Sequence, residues 1–371
     1  VKVLRFGRHA AVAVVAAGAL ALTACGSDNA TGTAPSGGAS AASTLSGTLS
    51  GTGSSAQTAA IDAWKSGFAT SNPNVTVQYS PDGSGAGRKT FLSGATQFAG
   101  SDAAMSTSEL TQSQSVCGPN GAIDIPVYIS PIAVAFNLPG VKELNLAPDT
   151  IAKMFRGQIT NWNDAAIAAD NPGVKLPDLK VTTVHRSDDS GTTENFTDYL
   201  SKAAPSVWTD KGNQTWPSSL PGENAKGTSG VVKTVAGTAG TVAYADESAV
   251  SGDLGVAKVK VGDTFVKLSA TAAAKAVELS KPVAGRAAND LALELNRTPA
   301  DPSAYPIVLV SYHVVCTTYK DKATVNLVQG WENYVVSAEG QQAAAAAAKS
   351  APLSDALAAK AKTAIAAITV K

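Results

Sequence analysis

One arrangement constrains this chain more than any other: a strand, then a loop of glycine and hydroxyl residues, then the start of a helix. Its fullest instance is His185-Arg186-Ser187-Asp188-Asp189-Ser190-Gly191-Thr192-Thr193-Glu194-Asn195-Phe196. Residues 179–185 alternate apolar and polar, as a half-buried strand does. Phe196, Tyr199 and Leu200 then share one helical face. Between them lie Arg186 and a Ser-Gly-Thr turn. Such a turn can present several backbone N–H groups at a helix start, where the macrodipole also favours an anion. Alone, the stretch fits an ordinary capped helix better than an oxyanion grip, since Ser and Thr caps are common.

The same arrangement occurs twice more. A short strand over 45–49 runs into Gly51-Thr52-Gly53-Ser54-Ser55-Ala56. A helix follows with Ile61, Trp64 and Phe68 on one face, and Asn72-Pro73 stops it. A second strand, 75–79, runs into Asp82-Gly83-Ser84-Gly85-Ala86-Gly87-Arg88, then a helix through Phe91 and Leu92. Its glycines lack the G-x-G-x-x-G spacing of a dinucleotide site, and no Gly-Lys-Ser/Thr follows to make a P-loop. What remains is a loop with a Ser hydroxyl and free N–H groups. Next comes Phe98-Ala99-Gly100-Ser101-Asp102. A carboxylate beside loops that favour anions makes sense if the anion carries a proton, because Asp102 can then accept a short, charge-assisted O–H···O⁻ bond. The plainer alternative is that Asp102 caps the next turn.

Bulk properties narrow the partners. The 371 residues carry 29 basic and 29 acidic side chains, and a net charge of zero argues against a nucleic-acid binder. The length suggests roughly two domains. The three cysteines and three histidines have no metal-ligand spacing, so neither a metal nor a cofactor is expected.

The chain opens with Lys2, Arg5 and Arg8 before an apolar run from Ala10 to Leu22, which fits a secretory h-region better than a membrane span. The run ends in Leu22-Thr23-Ala24-Cys25-Gly26, which resembles a bacterial lipobox. The reading is a lipoprotein signal over 1–24, lipidation at Cys25, and a flexible Gly/Ser/Ala/Thr tether to residue 45. A plain signal peptide cleaved near Ala24 is the alternative. An exported compartment is oxidising, so Cys117 and Cys316 are a candidate disulfide, with two buried thiols the other possibility.

Together these stretches resemble the phosphate-binding proteins of bacterial phosphate ABC transporters, the PstS family, from about Ser46 to near the C-terminus. Further support comes from Ile159-Thr160-Asn161-Trp162-Asn163-Asp164, Asn171-Pro172-Gly173 and Gly240-Thr241-Val242-Ala243-Tyr244. No single motif decides; their order and spacing do. The resemblance implies an α/β, two-lobed periplasmic-binding-protein fold (type II-like), with the ligand in the interlobe cleft and a two-segment hinge. It implies a first lobe of 46–130 plus 306–371 and a second of 131–305. Carried over position by position, Ser55 gives a hydroxyl and an N–H, Ala56 an N–H, and Ser84 a second donor. Asp102 accepts the phosphate proton. Arg186 gives a guanidinium that Asp188 fixes, and Ser190, Gly191 and Thr192 supply hydroxyl and N–H donors. Ala56 stands where some relatives have Phe, and Asp189 where Gly is common; Asp189 is expected to face solvent. The implied partners are inorganic phosphate, the transmembrane subunits of an ABC permease, and the outer face of the cytoplasmic membrane through the lipid. A monomer is expected.

Elsewhere, residues 123–137 read as β-rich with breaks at Pro126 and Pro131. Residues 148–162 read as a helix and turn, 202–226 as loop, 228–235 as a helix and 240–244 as a strand. Residues 270–279 and 289–296 read as helical, and 305–312 as a strand re-entering the first lobe. Helices over 322–336 and 339–347 and an Ala-rich C-terminal helix finish it. His185 and His313 read as structural. Competing functions are a binder of sulfate or molybdate, against which Asp102 argues, and a phosphatase or serine hydrolase using Ser55 or Ser190. The enzyme lacks support: only His185 is near in sequence, and no G-x-S-x-G elbow is present. An added sensor or adhesin role stays open.

Overall fold

The structure is a computed structural model that describes residues 45–250 and 252–371; the expected signal sequence, Cys25 and most of the expected tether lie outside the described residues. The chain begins β1 (Gly47–Gly53), α1 (Thr58–Ser71), β2 (Val75–Ser80), α2 (Ser84–Leu92), β3 (Phe98–Ser101) and α3 (Thr107–Cys117). Ile61, Trp64 and Phe68 of α1 are buried as their spacing requires, a burial of about 1.5–3 kcal/mol for such a side chain. Asn72 closes α1 by donating both its backbone N–H and its Nδ2 to the Phe68 carbonyl at 3.0 Å. Helix α2 begins at Ser84, earlier than the glycine-rich sequence suggests. Gly87 is helical because α2 presses against β1: a Cβ there would stand 2.5 Å from the Gly53 Cα.

The 15-residue strand β4 (Ala122–Phe136) follows, buried along its whole length. The expected breaks at Pro126 and Pro131 do not occur. Pro126 sits where the register slips by one residue opposite Ser311/Tyr312, and Pro131 sits at the last pair with the strand partner on that edge. Those are positions where a missing N–H costs little. After β5 (Glu143–Leu146), α4 (Pro148–Phe155) and α5 (Ala165–Asp170) come β6 (Thr182–Arg186), α6 (Gly191–Ala203), β7 (Glu223–Ala225), α7 (Gly227–Gly237) and β8 (Thr241–Asp246). A hairpin of β9 (Gly255–Val261) and β10 (Thr264–Val266) precedes α8 (Ala270–Glu278). Residues 289–296, expected to be helical, hold only the two-residue β12 (Leu293–Glu294), paired with β11 (Lys281–Pro282). The chain closes with β13 (Val308–Cys316), β14 (Thr318–Tyr319), α9 (Lys322–Val335), α10 (Ala338–Ala348), α11 (Asp355–Ala366) and β15 (Thr369–Val370).

The sheet order is β2-β1-β3-β13-β4-β8-β6-β7. Strand β4 serves both halves. Residues from Ala122 to Pro131 pair antiparallel with β13, while Ile132 to Phe136 pair with β8 and, at the end, β9. The result is a two-lobed α/β fold in which the chain crosses on a continuous strand. Cys117, at the end of α3, and Cys316, at the end of β13, form a disulfide. His313 is buried against Glu332, 2.9 Å away, among Trp64, Phe98 and Trp331. His185 stacks on Trp216. No helix of the described residues is long and apolar enough to cross a membrane.

Candidate anion-binding site

Three helix starts carry the residues singled out in the sequence. Ser55 and Ala56 lie between β1 and α1, Ser84 opens α2, and Ser190, Gly191 and Thr192 begin α6. The first N–H groups of a helix have no partner within it. Most other helices of the chain satisfy one with a side chain: Ser106 caps α3, Ser269 caps α8, Asp321 caps α9 and Ser354 caps α11. The starts of α1 and α2 have no side-chain cap. At these starts Ala56 N donates to Ser54 Oγ at 3.1 Å, Gly83 N to the Gly53 carbonyl at 2.8 Å and Gly85 N to the Asp189 carbonyl at 3.1 Å.

Asp102 joins the two sides. It is 3% exposed and follows β3. Its backbone N–H donates to Ser84 Oγ at 3.1 Å, which leaves the Ser84 hydrogen free to donate elsewhere. Thr192 Oγ1 donates to Asp102 Oδ2 at 3.1 Å, and Asn195 Nδ2 donates to the Asp102 carbonyl at 2.7 Å. Asp102 caps no helix; Ser106, with Glu109, makes the capping box of α3. Because the Thr192 hydroxyl hydrogen goes to Asp102, Thr192 has its backbone N–H to offer an anion. Ser190 Oγ accepts from Thr193 N at 3.2 Å, so its own hydrogen also stays available.

Arg186 ends β6 and is 3% exposed. Its Nε donates to Asp188 Oδ1 at 2.7 Å and its Nη2 to Oδ2. Burial raises the Asp188 pKa, but the two bonds and the charge of Arg186 outweigh it and hold the carboxyl below its usual range. The guanidinium is therefore locked in direction and largely neutralised. Asp188 Oδ1 also accepts from Gly227 N at 3.0 Å. Gly227 and Thr228 open α7, and Thr228 N donates to Ser55 Oγ at 3.0 Å. Ser55 Oγ and Thr228 Oγ1 are also 3.0 Å apart. The α7 start thus links Ser55, after β1, to Asp188, after β6. Asp189 turns its carboxylate outward, to Lys89 Nζ at 2.9 Å and Thr215 Oγ1 at 2.8 Å. That pairing holds its pKa below the usual range.

Contacts bring Ser84, Asp102, Gly191 and Thr192 together, and the α7 start links Ser55 to Asp188 and Arg186. Sequence reasoning missed the α7 start, Asn195, Gln57 and Ser311. Ser311 Oγ donates to Asp102 Oδ1 at 2.6 Å. Tyr244, within the Gly240–Tyr244 motif, bonds Arg186 N at 3.2 Å and Thr193 Oγ1 at 2.7 Å, and burial pushes its pKa up to about 12. A cavity of about 530 Å³ opens on the flank of Asp102, toward Glu194, Asn195, Arg297 and Tyr312. Among the described residues no group of three or more His, Cys, Asp or Glu is placed to hold a metal ion. Chemically, the arrangement offers neutral hydrogen-bond donors, one compensated cation and one buried acceptor.

A periplasmic binding protein is the class that this fold and cleft define, and the family model described as PBP superfamily domain matches residues 38–339. The phosphate-binding protein PstS 2 of Mycobacterium tuberculosis is 36% identical over 88% of this chain and 90% of its own. PstS 3 of Mycobacterium leprae is 37% identical over 86% and 87%. The chain belongs to the PstS family of phosphate-binding proteins. Among solved structures, the phosphate-binding protein of Stenotrophomonas maltophilia superposes with a TM-score of 0.65 at 24% identity, covering 86% of this chain and 94% of that one. A periplasmic phosphate-binding protein solved with phosphate, PfluDING, superposes with a TM-score of 0.70 at 22% identity over 85% and 93%. At these identities the superpositions carry the fold.

Proposed function

We propose that this chain captures inorganic phosphate outside the cytoplasmic membrane and delivers it to the transmembrane subunits of an ABC permease. The observation that carries the reading is that residues from the α2 and α6 starts, Ser84 and Thr192, both hydrogen-bond Asp102, a buried acceptor. Ser55, Ala56, Ser84, Arg186, Ser190, Gly191 and Thr192 are the donors, and Asp188 is the support for Arg186. Phosphate brings one to two negative charges at neutral pH, and Arg186 is already matched by Asp188. Most of the grip then comes from N–H and O–H dipoles at helix starts. A water-poor setting strengthens each of those bonds. Asp102 takes the ligand's proton; sulfate has the same shape and no proton to give. It would leave two acceptors facing each other, which disfavours sulfate over sulfate's ordinary competition for the same donors.

The lobes are read as 46–130 with 306–371, and 131–305. Closure of one on the other marks the loaded state. Cys25 carries the lipid, the segment to residue 45 is the tether, and the protein works as a monomer and not as an enzyme. The relatives' names as phosphate-binding proteins support this reading over a sulfate or molybdate binder and over a phosphatase. Calorimetric titration of the wild type and Asp102→Asn with phosphate and with sulfate is the test. The wild type is expected to prefer phosphate strongly, and the variant to lose most of that preference. A variant that discriminates as well as the wild type removes Asp102 from the mechanism.

A further inference from the structure

We infer that Ser311, oriented by Gln57, is the positioning residue that makes Asp102 a one-way acceptor and so sets the preference for a protonated oxyanion. The inference deepens the phosphate reading above and rests on it. Ser311 lies on β13, is fully buried, and is 209 residues from Asp102 in the chain. The β4–β13 register slips between Ser311 and Tyr312, where Val127 is the extra residue on β4. Such an irregularity re-aims the side chains beside it and is frequent next to functional sites.

The argument turns on how many hydrogens each group has. A serine hydroxyl has one hydrogen and two lone pairs. Gln57 Nε2 donates to Ser311 Oγ at 2.6 Å and to the Tyr312 carbonyl at 3.3 Å. The carbonyl fixes which end of the amide faces this way, because a flipped Gln57 would set its own oxygen against it. Ser311 therefore accepts from Gln57, and its single hydrogen is committed to Asp102 Oδ1 at 2.6 Å. Thr192 in turn donates to Oδ2. Both side-chain bonds run toward Asp102, and none runs away from it.

An isolated buried carboxyl group can take a proton itself and turn into a donor, which would welcome sulfate. Ser311 occupies Oδ1, the oxygen facing away from Thr192, with a donor. What is left is one lone pair on each oxygen, which a hydrogen brought by the ligand can satisfy. Gln57 belongs to the loop that leads into α1, directly after Ser55 and Ala56. One short segment therefore supplies phosphate donors and sets the polarity of the acceptor across the site.

The test is calorimetry on the full chain with inorganic phosphate and with sulfate, at pH 6 and pH 8, for the wild type, Ser311→Ala and Gln57→Glu. Ser311→Ala is expected to weaken phosphate binding about tenfold or more, the usual cost of losing a hydrogen bond to a charged group. It should also narrow the phosphate-to-sulfate ratio. Gln57→Glu leaves every atom that touches Asp102 in place but turns the Ser311 hydrogen around. It should narrow the ratio in the same way, and it carries the test if Ser311→Ala fails to fold. A wild-type ratio in both variants at both pH values overturns the inference, as does a parallel loss of phosphate and sulfate binding. If the wild type itself does not bind phosphate, the reading of the site falls and the inference with it; if it binds and the variants are unchanged, only the inference falls.

Discussion

At the scale of single residues, the site is built from close approaches that leave no room for a side chain. Gly191 is the clearest. A Cβ there would stand 2.7 Å from the Asp102 Cβ and 2.8 Å from Ser84 Oγ, both across the cleft. Gly191→Ala should therefore wedge the lobes apart while slightly favouring α6, since Ala is the better helix former. The expected result is phosphate binding weakened on the order of tenfold or more, with the melting temperature of the ligand-free protein unchanged or slightly raised. An unchanged affinity would show that the lobes need not meet there. The donors were legible in the sequence because each sits in a short loop beside the strand and helix that place it. Ser311 and Thr228 were not. Their partners Asp102 and Ser55 are 209 and 173 residues away, and a lone Ser or Thr on a strand or at a helix start gives no local signal of such a contact.

At the scale of elements, β4 and β8 meet around a buried carboxyl group. Asp246 ends β8, is fully buried, and pairs with Ile132 of β4. Its Oδ1 accepts from Tyr128 Oη and Ser248 N, each at 3.0 Å, while Oδ2 is buried with no partner among the described residues. Burial pushes its pKa up to about 7, well above the value of about 3.9 in an unfolded chain. Between those two values the folded state holds a proton that the unfolded state has lost, so stability falls as pH rises from about 4 to about 7 and is level above. Asp246→Asn stays neutral throughout and should lose that fall. Melting curves at pH 5 and pH 8 should show the variant gaining on the wild type at pH 8, by a few kcal/mol at most. Asp124, also raised to about 7 by burial and by Asp290, gives both proteins the same background slope. Equal pH dependence in the two proteins would mean that Asp246 titrates normally. The sequence pattern located most helices and strands of the molecule, because three-to-four-residue and two-residue spacing report directly on burial. It failed where another rule prevailed. Prolines 126 and 131 looked like breaks but occupy pairing positions that need no N–H, and glycines 85 and 87 looked like loop but are helical, Gly87 pressed on β1 and Gly85 on Asp189.

At the scale of the whole molecule, the disulfide and the cleft are independent. Cys117 and Cys316 have their Cα atoms 4.8 Å apart, and the side-chain hydrogen bonds at their backbones are with Thr318 and Tyr319. The bond closes a loop with a sequence separation of 199, so its removal should cost about 2–5 kcal/mol of stability. The double variant Cys117→Ser/Cys316→Ser should melt lower yet bind phosphate within about twofold of the wild type, by melting and calorimetry. A large loss of affinity would mean that the bond also shapes the cleft. The long strand β4 has a different consequence, for the order in which the chain can assemble. Every strand that β8, β6, β7, β9 and β10 need is present by residue 266, whereas β3 and the first part of β4 wait for β13, which begins at Val308. A chain emerging from its N-terminus therefore finishes its middle first. The edges of β3 and of the first part of β4 stay open until the last sixth of the chain arrives, and those edges are where a chaperone or a stray neighbour would find it.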